Sequence, residues 1–277
     1  MAGTLAGKTM FISGGSRGIG LAIAVRAAAD GANVALIAKT AEPHPKLEGT
    51  IYTAAEAIEQ AGGQALPIVG DIRDDDQVSS AVAQAIERFG GIDICVNNAS
   101  AINLSGTEAL ELKRYDLMQD INTRGTFTVS KACVPHLKQA SNPHVLTLSP
   151  PLSLDPKWFK GHVGYTISKY GMSMCTLGMA EEFREDGIAF NALWPRTLVA
   201  TAAVQNLLGG DAAMKGSRKP ESMADAAHVI LTRPSRETTG NFFLAEDVLA
   251  DEGITDLSDY SYGGADSDLI ADLFVDD

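Results

Sequence analysis

The opening segment limits the fold more than any other part of the chain. Thr9–Ile12 is a short apolar run that passes straight into Ser13-Gly14-Gly15-Ser16-Arg17-Gly18-Ile19-Gly20, and a helical period begins at Leu21. Glycines allow the tight turn such a junction needs and let a ligand approach the backbone closely. A helix starting at once offers free N–H groups and the positive end of its dipole to an anion. This order predicts a pyrophosphate site, although Gly-x3-Gly-x-Gly departs from the general Gly-x-Gly-x-x-Gly spacing.

The same alternation continues downstream. Apolar runs at Val34–Ile37, Ala65–Val69, Ile92–Val96, Val145–Leu148, Ile188–Leu193 and Asn241–Leu244 are separated by helical periods. The helices are predicted at Leu21–Ala29, Thr53–Gln60, Gln77–Phe89, Leu117–Leu137, Tyr165–Phe183 and Met223–Leu231. Continuous apolar strands alternating with helices predict an α/β fold: one Rossmann-type, doubly wound parallel sheet with helices on both faces. No Pro/Gly-rich linker splits the 277 residues.

Charge divides the chain where hydropathy does not. Residues 246–277 hold 11 of the 35 acidic residues and none of the 22 basic ones, so the net charge of −13 is mostly theirs. The remaining 245 residues carry 24 acids against 22 bases. We therefore expect a nearly neutral body over residues 1–245 and an acidic extension over residues 246–277. Leu249, Leu257, Tyr260, Leu269, Ile270, Leu273 and Phe274 are interleaved with the acids, so the extension is expected to pack on its own body or on a neighbouring subunit. This balance argues against a nucleic-acid partner. No apolar run is long enough for a membrane span, and no signal peptide is evident. Cys95, Cys133 and Cys175 are scattered, without a CxxC pair, which fits free thiols in a reducing cytoplasm. No metal site is assigned.

Several positions bear on the nucleotide. A carboxylate about 20 residues past the glycines would bond a ribose 2′-hydroxyl, but Lys39-Thr40 stands there instead. A cation at that point suits a 2′-phosphate and favours NADP(H), with Arg17 as a second cation. Asp71, after the third strand, either accepts a bond from an adenine amino group or caps the helix that follows. Asn97-Asn98 closes the fourth strand, as a turn or as a ligand contact.

Tyr165 and Lys169 are four residues apart and share a helix face. An ammonium beside a phenol stabilises the phenolate and makes proton exchange more accessible. The glycine loop, Asn97-Asn98-Ala99, Asn122 and Tyr165-x3-Lys169 stand in one order, and in that order the chain resembles the short-chain dehydrogenase/reductase family over about residues 7–245. Some relatives append a sterol-carrier domain, for which this length leaves no room.

The resemblance implies an alcohol–carbonyl oxidoreductase. Tyr165 would exchange a proton with the substrate oxygen, Lys169 would depress the phenol and hold the nicotinamide ribose, and Asn122 would position a relay water. Gly14, Ser16, Arg17, Gly18, Ile19 and Gly20 would cradle the pyrophosphate. Lys39 would meet the 2′-phosphate, Asp71 and Asn98 would line the adenosine side, and Pro195 would stand beside the nicotinamide. The family serine that polarises the carbonyl is displaced here: Ser149 lies 16 residues before Tyr165, and Ser153 is the next candidate. Arg196 replaces a usual glycine and would place a cation near the nucleotide. Pro150, Pro151, Leu152, Leu154, Trp158, Phe159 and Trp194, with the lid segment 198–208, would wall a pocket for an apolar alcohol or carbonyl. A homo-oligomer, dimer or tetramer, is implied. The competing expectation is a catalytically weak nucleotide-binding sensor or scaffold.

Overall fold

A computed structural model describes residues 3–43 and 48–276. Seven parallel strands form one sheet in the order β3-β2-β1-β4-β5-β6-β7. They are β1 (Thr9–Ser13), β2 (Asn33–Ala38), β3 (Gln64–Val69), β4 (Ile94–Asn97), β5 (His144–Thr147), β6 (Ala189–Trp194) and β7 (Phe242–Leu244). Among the described residues, ten α-helices accompany them: α1 (Gly18–Ala29), α2 (Ile51–Gln60), α3 (Asp75–Phe89), α4 (Leu112–Met118), α5 (Gly125–Leu137), α6 (Val163–Glu182), α7 (Ala202–Leu207), α8 (Gly210–Lys215), α9 (Glu221–Thr232) and α10 (Ala245–Asp251).

The strand period of two sorts the core. Met10 and Ile12 of β1, with Val34 and Leu36 of β2, pack under α1, α2, α9 and α10. Phe11, Ala35 and Ile37 point the other way, against α3, α5 and α6. Both faces are covered, which explains why the strands read as unbroken apolar runs. Local chemistry sets several helix starts. Thr50 and Thr53 form a reciprocal capping box at α2, and the Asp74 carboxylate accepts from the N–H groups of Asp76 and Gln77 at α3. The cap of α3 is thus Asp74 and not Asp71.

The helix expected over Leu117–Leu137 is broken. A π-helical turn, Gln119–Arg124, separates α4 from α5 and holds Asn122. The boundary placed at residue 245 falls at the start of α10, whose Ala245, Val248 and Leu249 are core residues. Beyond α10 the chain runs back over the body. Tyr262 N–H donates to Ser217 O at 3.0 Å, Ile270 N–H to Gly216 O at 2.9 Å and Leu198 N–H to Ile270 O at 2.9 Å. Among the described residues, no helix is long and apolar enough to cross a membrane.

Candidate active site

The sheet order reverses between β1 and β4, the place where open α/β sheets leave a crevice at their carboxyl ends. A groove of about 750 Å³ lies there, lined by Gly14, Ser16, Arg17, Gly18, Ile19, Lys39, Asp71 and Asn98 among others. Gly14 has φ +72°, and a Cβ on it would meet Ala99 Cα at 2.7 Å. Gly20 is a second contact glycine, since a Cβ there would fall 2.4 Å from Asn98 Nδ2. That amide donates to Gly14 O at 2.9 Å and Ser13 O at 3.2 Å. Asn98 therefore stitches the end of β4 to the glycine loop while also lining the groove. The first N–H groups of α1 have no side-chain cap, so they are available to an anion.

Cations border the same groove. The Arg17 guanidinium donates to Glu48 O and Gly49 O, at 3.0 and 2.7 Å, and so draws the loop before α2 over the rim. Lys39 Nζ pairs with Asp71 at 3.3 Å. Arg73 forks onto the same carboxylate and, with that lysine, holds Asp71 down to about 2.

Helix α6 carries Tyr165 and Lys169, buried at 5% and 3% exposure. Lys169 Nζ donates to Leu148 O at 2.6 Å and lies over the Trp194 ring, 4.9 Å from its centre. Burial pushes the Lys169 ammonium down to about 7, against the pull of Asp272. Burial, and then the charge of Asp272, raises the Tyr165 phenol well above the usual tyrosine range. Asn122 is fully buried. Its amide receives Ala101 N–H at 2.7 Å and donates to Ala101 O and Ser168 Oγ, both at 2.9 Å. These bonds tie the π-turn to α6 and to the loop after β4. Ser149 is fully buried and its Oγ has no partner. Ser153, by contrast, accepts the Asp155 N–H at 3.3 Å in a local turn.

A chamber of about 290 Å³ reaches Tyr165 and Pro195. It shares Ile19, Thr201 and Ala203 with the groove, so the two are adjoining parts of one channel. The far wall is the C-terminal tail. Asp272 and Leu273 line the chamber. Trp194 Nε1 donates to Leu273 O at 2.8 Å. Phe274 is buried among Trp158, His162, Tyr165, Tyr170 and Trp194, with ring centres 5.4–6.1 Å away. Asp272 belongs to no motif of the sequence; the apolar residues interleaved around it are the signal that its segment packs on the body. The expectation for Arg196 is corrected: its guanidinium forks onto Asp247 at 2.8 and 2.9 Å, away from the channel.

The family model for short chain dehydrogenases matches residues 8–210. Hydroxysteroid dehydrogenase-like protein 2 from Danio rerio is 59% identical over 99% of this chain, and that from Homo sapiens is 55% identical over the same share. The chain spans 65% of the length of both relatives. A crystal structure of a short chain dehydrogenase from Mycobacterium thermoresistibile is 67% identical, with a TM-score of 0.93, covering 99% of this chain and 96% of that one. A chain from Xanthomonas campestris is 56% identical, with a TM-score of 0.95, covering 99% of this chain and all of that one. Seven parallel strands, a glycine turn at the switch point and the sequence match over most of the body place the chain in the short-chain dehydrogenase family.

Proposed function

We propose that the chain is an NADP(H)-dependent oxidoreductase that interconverts an apolar alcohol and its aldehyde or ketone, with Tyr165 exchanging the proton. The observation that carries this reading is the channel. The Tyr165 phenol lines a chamber that adjoins the groove over the glycine loop. The residues fit a nicotinamide nucleotide: Gly14 and Gly18 hold positive φ, and the start of α1 is uncapped. Gly14, Ser16, Arg17, Gly18, Ile19 and Gly20 would hold the pyrophosphate, Lys39 the 2′-phosphate, Asp71 and Asn98 the adenosine side, and Lys169 and Pro195 the nicotinamide side. When bound, the nicotinamide supplies or accepts the hydride.

The protein's own groups handle the proton. Burial, and then the charge of Asp272, keeps Tyr165 protonated, the form needed to donate to a carbonyl oxygen. Ser149 brings a buried hydroxyl with an unused donor, which supports its choice over Ser153 as the group that polarises the carbonyl. Asn122 holds the loop after β4 and α6 in register, and any relay water would sit at this π-turn. Chamber walls from Ile102, Leu104, Leu148, Leu198, Val204 and Met223 support an apolar substrate. A homo-oligomer, dimer or tetramer, is supported by exposed Phe127 on α5 and Ile167, Met174 and Leu177 on α6. Three free cysteines support a cytoplasmic setting.

One observation favours the alternative, a catalytically weak nucleotide-binding sensor or scaffold: Phe274 and Asp272 crowd Tyr165. Turnover of apolar ketones with NADPH separates the two readings. Tyr165→Phe is expected to lose about 10²- to 10⁴-fold in turnover, with nucleotide affinity kept. Nucleotide binding with no turnover of any carbonyl by the wild-type protein would establish the scaffold.

A further inference from the structure

The tail wall of the chamber is built rather than draped. Asp272 N–H donates to Arg196 O at 2.9 Å, and Ala271 pairs with Thr197 as an antiparallel bridge. Leu273 is held by the Trp194 indole, and Phe274 is sealed beneath it at 4% exposure. The position of the Asp272 carboxyl is therefore fixed from both sides. Among the described residues lining the chamber, Asp272 carries the only carboxyl and Tyr165 is the only other ionisable group. Lys169 is the nearest cation, and its Nζ is turned to Leu148 O. Glu246 of α10 also faces Asp272; its carboxylate receives Arg196 N–H at 2.9 Å and pairs with the buried Arg218 guanidinium at 3.8 Å. A substrate oriented with its carbonyl at Tyr165 would lie along apolar walls and meet a carboxylate.

We propose that Asp272 is a specificity-determining residue that limits the chamber to substrates without an anionic group and rejects carbonyl compounds that carry a carboxylate. The physical cause is repulsion in a chamber with no cation among its described lining residues; Lys169 attracts Asp272 from behind the wall, with its Nζ held by Leu148 O. A neutral chain keeps its contacts with the apolar walls, and a donor such as a hydroxyl or ammonium gains an acceptor. This rests on the reading that the chamber takes the substrate, yet it is tested by binding and needs no turnover.

The test uses a nearly isosteric pair, 6-methyl-2-heptanone and 5-oxohexanoate, titrated into the full chain with saturating NADP⁺. Both tryptophans of the chain, Trp158 and Trp194, touch Phe274, so their fluorescence reports on the chamber wall. The titration is run at about pH 8.5, above the value to which burial pushes Asp272, about 7. Wild-type protein is expected to favour the neutral ketone by about tenfold or more. Asp272→Asn should cut that ratio at least about fivefold, Asp272→Lys should reverse it, and Asp272→Glu should keep it. An unchanged ratio in both Asp272→Asn and Asp272→Lys, with NADP⁺ still bound, overturns the proposal. So does binding of neither compound by wild type with NADP⁺ bound. Inactive Tyr165 chemistry in the presence of this discrimination would overturn the oxidoreductase reading alone.

Discussion

Lys169 shows what a single buried charge costs. Its ammonium titrates near 7 in the fold and near 10.5 when unfolded. Between those values the unfolded chain binds more protons, so this residue's destabilising contribution is full below about pH 7 and fades as pH rises toward 10.5. Asp272 works in the opposite sense, since its folded value of about 7 lies above the unfolded 3.8. The folded state binds the extra proton between those limits, and stability from this group is lost as pH rises through about 7. Lys169→Met is therefore expected to raise Tm at pH 6, at about 2–4 °C per kcal/mol, while abolishing turnover. A fall in Tm would show that Leu148 O depends on this lysine more than the burial penalty suggests. At the other end of the groove, Lys39→Asp sets a repelling carboxylate beside Asp71. It should weaken NADPH by about tenfold or more relative to NADH, and equal losses in the two titrations would refute the 2′-phosphate assignment.

At the scale of elements, the parts built from near neighbours in sequence were legible. The β1–glycine turn–α1 unit is contiguous, so its periodicity and glycines announce both the fold and the groove. Tyr165 and Lys169 were legible because one helical turn brings them together. The π-turn at Gln119–Arg124 was not, because a single extra residue in a helical period leaves the apolar pattern almost intact. The small helices α7 and α8 are six residues each, too short for a period to declare itself. Asp272 was illegible for a different reason: its meaning comes from pairing with the Arg196–Leu198 loop, far upstream. The tail holding it has a strained anchor. Glycines apart, Phe274 alone among the described residues has positive φ, +72°, a conformation kept only where surroundings over-determine it. Phe274→Ala should cost about 3–5 kcal/mol and lower Tm by roughly 10 °C, measured by calorimetry. A shift under about 2 °C would mean that the five rings close over the gap.

For the whole molecule, the acidic extension balances scattered bases on the body. Arg196 pairs with Asp247, Arg218 with Glu246 and Asp266, Arg233 with Glu252, and Lys157 with Asp276. Most of these pairs are exposed and contribute little each, so apolar burial and backbone bonds must fix the extension, with charge refining its register. The exposed apolar residues on α5 and α6 lie elsewhere, and there a second copy of the chain is expected to bind. Met174→Glu combined with Leu177→Glu should convert the assembly to monomer in light scattering. An unchanged mass would move the contact to another face.

The backbone bonds at Ile270 and Asp272 and the seal at Phe274 also have a mechanical consequence. They lie in series along the last residues, so a pull on the C-terminus loads them one after another, as in peeling tape, and never all at once. Among the contacts loaded early are those of Phe274 and Leu273, which close the wall beside Tyr165. A tether, a fusion partner or a surface attached at that end would therefore pull on the catalytic chamber before it strained the sheet, whereas the same load at the N-terminus would act first on the segment leading into β1.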